Sequence, residues 1–302
     1  MSHAHDHGHD HSPKSFDVSF AIGAALNFGL VIAEVAFGFL SNSLALVSDG
    51  MHNLSDVLGL LLAWAGSWLA TRRPSDRRTY GYRRASILAA LANAALLLIA
   101  TGGLFVEGAQ RFFDPRPVAS GTVLWVASAA ILVNLATALM FRRGGEGDIN
   151  IRGAFLHLMA DAAVSLGVLI SALLISRTGW LWLDPLASLV VALVVLWSGY
   201  GLLRSALDLA LDAVPPGVDR AAVEAYLAGL PGVTEVHDLH IWGMSTTETA
   251  LTAHLVRPDS GLDDALLVEI AHQLDDRFQI QHVTIQFETG VLACRYAPTH
   301  VV

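Results

Sequence analysis

Histidine and aspartate recur four residues apart in two apolar stretches of the 302-residue chain, as His52-Asn53-Leu54-Ser55-Asp56 and His157-Leu158-Met159-Ala160-Asp161. On a helix that spacing puts both side chains on one face, about 6 Å apart along the axis. Two such faces brought together offer two imidazoles and two carboxylates, a nitrogen–oxygen shell suited to tetrahedral Zn²⁺. A charged side chain at the centre of a bilayer costs about 2.5–3.5 kcal/mol even on the lenient insertion scale. Residues kept there either bond helices to one another or hold something that crosses. The same pair on two separate stretches favours the second reading. Asp49 shares the face of His52 and Asp56 and reads as an accessory carboxylate. Glu34 in the first stretch has the same two readings, accessory carboxylate or interfacial residue. Asn27, Asn93 and Asn134 read as interhelical hydrogen bonders.

The elements that must position these groups are membrane helices. Hydrophobic residues make up 54% of the chain and charged residues 15%, against about 25% charged in a soluble domain. Six stretches have the roughly 20 apolar residues that cross a bilayer: Val18–Leu40, Leu44–Ala70, Ala85–Phe105, Val118–Phe141, Gly153–Ile175 and Leu186–Leu203. With these bounds the second-stretch pair lies near mid-membrane and the fifth-stretch pair nearer one side. Arginine sets the orientation. Arg72, Arg73, Arg77, Arg78, Arg83 and Arg84 follow the second stretch, and Arg142, Arg143 and Arg152 follow the fourth, while the other connections are poorer in arginine. The positive-inside rule then places both termini in the cytoplasm of a multi-pass protein of the cell (inner) membrane. Trp125, Trp180 and Trp182 fall at outer ends, as interfacial anchors do. The start of the chain lacks a signal-peptide layout.

Beyond Arg204 the character changes, and Pro215-Pro216-Gly217 reads as a break. Asp219–Leu230 and Leu262–Phe278 carry helical patterns, and Val233–Trp242, Ala250–Val256 and His282–Glu288 carry strand patterns. The order αββαβ predicts a small open sheet with helices on one face, a modest core, and a use for a partner copy. The domains are therefore 1–15, a His-rich tail; 16–206, the six-helix membrane domain; and 207–302, the cytoplasmic α+β domain. In the last strand His282, Gln286 and Glu288 share the polar face. His254 shares a face with Thr252. His237 has the parity of Leu239 and Ile241, so it must sit at a strand end to reach a metal. The tail alternates His3, His5, His7, His9 and His11 with Asp6 and Asp10, a tract that binds metal loosely. The net charge of -9 argues against a nucleic-acid partner. The single cysteine, Cys294, excludes an intramolecular disulfide framework and a cysteine-rich metal site.

The two His-x-x-x-Asp pairs, Tyr80-Gly81-Tyr82-Arg83-Arg84-Ala85 before the third stretch, and Val236-His237-Asp238-Leu239-His240-Ile241-Trp242 together resemble the cation diffusion facilitators. The similarity runs from about Phe16 to Glu288. It implies a homodimer, six transmembrane helices, a ferredoxin-like (metallochaperone-like) cytoplasmic domain and metal/proton antiport by alternating access. His-x-x-x-Asp in both stretches looks like the zinc-type branch. His52, Asp56, His157 and Asp161 match the transport site. His237, His254 and Glu288 fall at positions resembling regulatory metal ligands. Arg84 falls where some members carry a base paired to an acid at the membrane–cytoplasm junction, with Asp212 or Asp208 as that acid here. Two departures stand out. The loop after the second stretch has Arg77, Arg78 and Tyr82 where some members have metal ligands, with only Asp76 left. Gln286 stands where a further ligand would be His.

Zn²⁺ binds neutral imidazole and ionised carboxylate, and protons compete for both. The expectation is a secondary transporter with no cofactor, exchanging cytoplasmic Zn²⁺ for protons, with Zn²⁺ also held in the cytoplasmic domain. Cd²⁺, Co²⁺ and Ni²⁺ remain open as cargo. Two other classes stay open as well: a membrane metal sensor or receptor without transport, and an intramembrane metalloenzyme. Against the enzyme, no His-Glu-x-x-His occurs and no ionisable group outside the metal set is an obvious general base.

Overall fold

The computed structural model of the protein describes residues 18–144, 149–258 and 264–297. The His-rich tail 1–15 and His300 lie outside the described residues. Six long helices come first: α1 (Val18–Leu40), α2 (Leu44–Ala70), α3 (Ala85–Phe113), α4 (Ser120–Gly144), α5 (Ile149–Thr178) and α6 (Leu183–Ala210). Then follow α7 (Arg220–Ala228), β1 (Glu235–Gly243), β2 (Thr249–Val256), α8 (Asp264–Phe278) and β3 (His282–Glu288), the expected αββαβ order. Among the described residues, Ala85–Phe113, Ser120–Leu139, Phe155–Thr178 and Leu183–Ala210 are long and apolar enough to cross a bilayer. The exposed Trp64, Ile99, Trp125, Leu132 and Trp197 suit a lipid surface rather than water.

Several helices outrun their apolar stretches. Helix α3 continues past Phe105, with Arg111 Nε donating to Glu107 Oε1 at 2.8 Å. Helix α6 continues past Leu203 and through the 206/207 division, with Arg204 facing Asp208 at 4.0 Å. Pairs at this spacing support a helix after apolarity ends, so a hydropathy window stops short. Helix α5 begins earlier than Gly153, at Ile149.

The chain divides into two compact units, Met1–Val57 with Ala100–Val195 and Leu58–Ile99 with Leu196–Val302. In the first, Ala45 and Leu46 of α2 pack with Val123 and Ala127 of α4 and Val168 and Ala172 of α5. Helices α1 and α2 approach closely: a Cβ on Gly50 would lie 2.8 Å from the Glu34 Cβ. The start of α2 is fixed by Ser43, whose Oγ accepts from the Leu46 amide at 3.2 Å, and by Asp184. That carboxylate accepts from Ser43 Oγ at 2.5 Å and from the Leu44 amide at 2.7 Å, a negative group at a helix N-terminus.

In the second unit, Gly66 lets α2 approach α3, since a Cβ there would meet Ser86 Cα at 2.8 Å. The sheet runs β1-β2-β3, antiparallel then parallel. Its inner face sets Leu239 and Ile241 beside Leu251, Ala253 and Leu255, under Val223 and Leu227 of α7 and Ile270 and Leu274 of α8. Asp219 caps α7, accepting from the Ala221 and Ala222 amides.

Candidate metal centres

The four residues of the two His-x-x-x-Asp pairs meet. His52 Nε2 lies 4.0 Å from Asp56 Oδ2 and 3.6 Å from Asp161 Oδ1. His157 Nε2 lies 3.3 Å from Asp56 Oδ2 and 3.6 Å from Asp161 Oδ2. Each imidazole thus faces both carboxylates, and the ring centroids stand 6.3 Å apart. The helical period explains the convergence, since each pair is already side by side on its own helix. The cluster has an inner and an outer edge. The Asp161 side chain keeps 7% of its exposure and His52 18%, while Asp56 keeps 37% and His157 50%. An ion can reach the ring from the His157 side and be held against Asp161.

Next to this ring lie two more buried carboxylates. Asp49 accepts a hydrogen bond from Ser165 Oγ of α5 at 2.8 Å. Glu34 accepts from Asn53 Nδ2 at 2.8 Å. Both are fully buried among the helices. Ser165 and Asn53 are partners that the sequence reading did not name.

A second set of donors gathers on the outer face of the sheet. β1 carries one extra residue between His237 and His240: His237 pairs with His254 and His240 with Thr252, so Asp238 and Leu239 together oppose Ala253. Asp238 sits at φ 50° there. This β-bulge reverses the alternation, which corrects the expectation from parity. His237 reaches the His254 face through the bulge while Leu239 and Ile241 stay in the core. His237 Nε2 lies 3.4 Å from Glu288 Oε2 and His254 Nδ1 lies 2.9 Å from Glu288 Oε1. The two rings stand 5.3 Å apart. His237 is nine-tenths buried, and neither of its nitrogens has a hydrogen-bond partner. A metal ion would satisfy such an imidazole, and the donor set of two imidazoles and a carboxylate fits one. Burial works against the Glu288 carboxylate, yet hydrogen bonds from Cys294 and Gln286 and the two imidazoles hold its carboxyl below the ordinary range. His240 bonds Asp238 at 2.9 Å, His272 faces Asp276 on exposed helix, and His282 packs on Tyr80.

At the mouth of the same unit, Arg84 Nη2 donates to Asp212 Oδ1 at 2.5 Å, so Asp212 and not Asp208 is its partner. Arg83 pairs with Glu248 beside it, and the Thr246 amide donates to Ser86 Oγ at 3.1 Å. Glu248 was not singled out in the sequence, because its partner is distant along the chain.

Comparison with known proteins covers nearly the whole chain. The family model for the cation efflux transmembrane domain matches residues 20–209. That for the cation efflux protein cytoplasmic domain matches residues 215–290. The cadmium, cobalt and zinc/H(+)-K(+) antiporter of Bacillus subtilis is 38% identical over 86% of this chain and 85% of its own. Zinc transporter ZitB of Escherichia coli is 36% identical over 99% of this chain and 94% of its own. Among solved structures, the metal-bound C-terminal domain of the CzcD transporter from Cuprividus metallidurans is 44% identical, covering 24% of this chain and 99% of that one, with a TM-score of 0.22.

Proposed function

The chain belongs to the cation efflux family, whose relatives here are metal transporters and antiporters and not enzymes, and on that premise we propose that it exports Zn²⁺ from the cytoplasm in exchange for protons. The cargo is held by His52, Asp56, His157 and Asp161. The observation that carries this reading is the ring in which two imidazoles each face the same two carboxylates, at 3.3–4.0 Å. Drawn inward around a small dication, with His157 moving furthest because it lies outside the tight His52–Asp56–Asp161 group, these residues would give two nitrogen and two oxygen ligands. The same atoms hold protons when the ion leaves. Open to the cytoplasm, the ring loses protons and takes metal; open to a more acidic side, it takes protons and releases metal. The zinc-bearing names of the relatives support this cargo, with Cd²⁺ and Co²⁺ as further substrates.

Around this centre the remaining parts take roles. All six long helices cross the cell (inner) membrane, with both termini cytoplasmic. Asp49 and Glu34 are accessory carboxylates that add negative charge behind the ring. Arg84 and Asp212, with Arg83 and Glu248, tie the start of α3 to the cytoplasmic domain. His237, His254 and Glu288 hold a regulatory ion, and two chains pair through their cytoplasmic domains. Metal there shifts the conformational balance of the dimer. A sensor that does not transport would bind metal equally well, so flux decides. In sealed vesicles the protein carries Zn²⁺, and Asp56→Ala and Asp161→Ala, folded and inserted, carry none. Substantial flux from either variant removes the site assignment.

A further inference from the structure

Beyond β3 the chain turns back on itself. Gly290 sits at φ 74°, where only glycine is at ease, and a Cβ there would lie 3.0 Å from the Val256 side chain. The turn returns Cys294 to the outer face of the sheet, with Sγ 3.5 Å from His254 Nδ1. His237, His254, Glu288 and Cys294 each offer a donor atom within 4.8 Å of all the others.

We propose that Cys294 is the fourth ligand of the cytoplasmic metal site, so that a thiophilic divalent ion fastens the segment after β3 over His237, His254 and Glu288. This rests on the reading that those three residues bind metal. Three observations carry the addition. First, His237 is buried with both nitrogens unpartnered, so the pocket has an unmet demand on the side facing Glu288. Second, carboxylates stand behind the imidazoles: Asp238 Oδ2 lies 3.4 Å from His254 Nε2, and Glu235 Oε1 lies 3.4 Å from His237 Nδ1. These carboxylates make no hydrogen bond to His237 here, but they stand where they would accept from the outward ring nitrogens once the inward ones bind an ion. They leave His254 Nδ1 and His237 Nε2 as the inward atoms, the same two that face Glu288. Third, the neighbour on β3 offers only an amide, and Gln286 Nε2 is already spent on Glu288 Oε1 at 2.9 Å. The thiol is thus the available fourth donor. On binding, the Cys294 Sγ–H proton goes to solvent and the thiolate sulfur bonds the ion, completing a nitrogen–nitrogen–oxygen–sulfur tetrahedron. A sulfur ligand favours Zn²⁺, Cd²⁺ and Co²⁺ over Mg²⁺ and Mn²⁺.

The test exploits the fact that Cys294 is the only cysteine in the chain. Protein in detergent, lacking residues 1–12 so that the His tract binds no metal and carrying Asp161→Ala to disable the intramembrane ring, is titrated with Co²⁺. A thiolate-to-cobalt charge-transfer band in the near ultraviolet has one source. The band is expected to appear and saturate, to vanish in Cys294→Ser, and to be displaced by Zn²⁺. Loss of an outer partner typically weakens a metal site 10–100-fold, so loss of this direct ligand should weaken Zn²⁺ binding by roughly 100-fold. If Co²⁺ binds without the band, and His237→Ala abolishes that binding, Cys294 is not a ligand and the three-residue site stands. If His237→Ala leaves Co²⁺ binding unchanged, both readings fall.

Discussion

Replacing Asp161 by Asn removes one charge from the intramembrane ring and keeps the size and shape of the side chain. The native carboxylate is almost fully buried and lies 3.6 Å from each of the two imidazoles. Unit charges about 4 Å apart interact by about 4 kcal/mol at an effective dielectric constant of 20, and a dication doubles that. Desolvation of the carboxylate and the ion returns several kcal/mol. Removing one partner from a buried charged set costs about 3–5 kcal/mol net. At about 1.4 kcal/mol per tenfold, Zn²⁺ binding to Asp161→Asn should weaken by roughly 10² to several times 10³-fold. His157 is the contrast. Its side chain is half exposed, so water can take the place vacated in His157→Gln, and the loss should be nearer tenfold. The assay is competition for Zn²⁺ against a chelating dye in detergent, on a His237→Ala background that silences the cytoplasmic site. Binding by Asp161→Asn within about threefold of its parent, or a larger loss from His157→Gln, refutes the burial-ranked ring.

Three further outcomes follow from the same geometry. His52→Asp gives one imidazole and three carboxylates, so uptake should broaden toward Mn²⁺ and Cd²⁺ and lose its preference for Zn²⁺; an unchanged metal ranking in vesicle uptake means that His52 does not touch the ion. Deleting residues 1–12 should lower apparent affinity or capacity modestly, since a loose His tract concentrates metal without building the ring, and complete loss of transport would contradict that. The Arg84–Asp212 pair is about half exposed on both sides, so a double-mutant cycle on thermal stability should return only about 0.2–1 kcal/mol, and a coupling of about 3 kcal/mol or more, as in a buried pair, would show that the pair is not simply a surface contact.

The parts of the site that follow a regular period could be read from the sequence. His52 and Asp56, and His157 and Asp161, declare a shared face because four residues nearly complete a helical turn. Strand alternation likewise set His254 on one face with Thr252, and the structure buries Leu251, Ala253 and Leu255 on the other. What broke a period was hidden. The bulge at Asp238 reverses the facing of His237, and an aspartate at positive φ leaves no pattern in one sequence. Cys294 lies on irregular chain after β3, where no spacing relates it to His254. The partners Ser165 of Asp49 and Glu248 of Arg83 are set by tertiary packing alone. Helix ends were misjudged where polar pairs, Glu107 with Arg111 and Arg204 with Asp208, carry α3 and α6 past their apolar runs.

The most direct test of the central claim is coupled flux in sealed vesicles. Purified protein is reconstituted with an acidic lumen, external Zn²⁺ is added, and lumenal Zn²⁺ and lumenal pH are followed together. Zinc should enter as the lumen loses protons, uptake should stop when the pH gradient is collapsed, and both signals should be absent in the Asp56→Ala, Asp161→Ala double variant. Zinc entry that ignores the gradient, or that persists in the double variant, contradicts exchange at this ring.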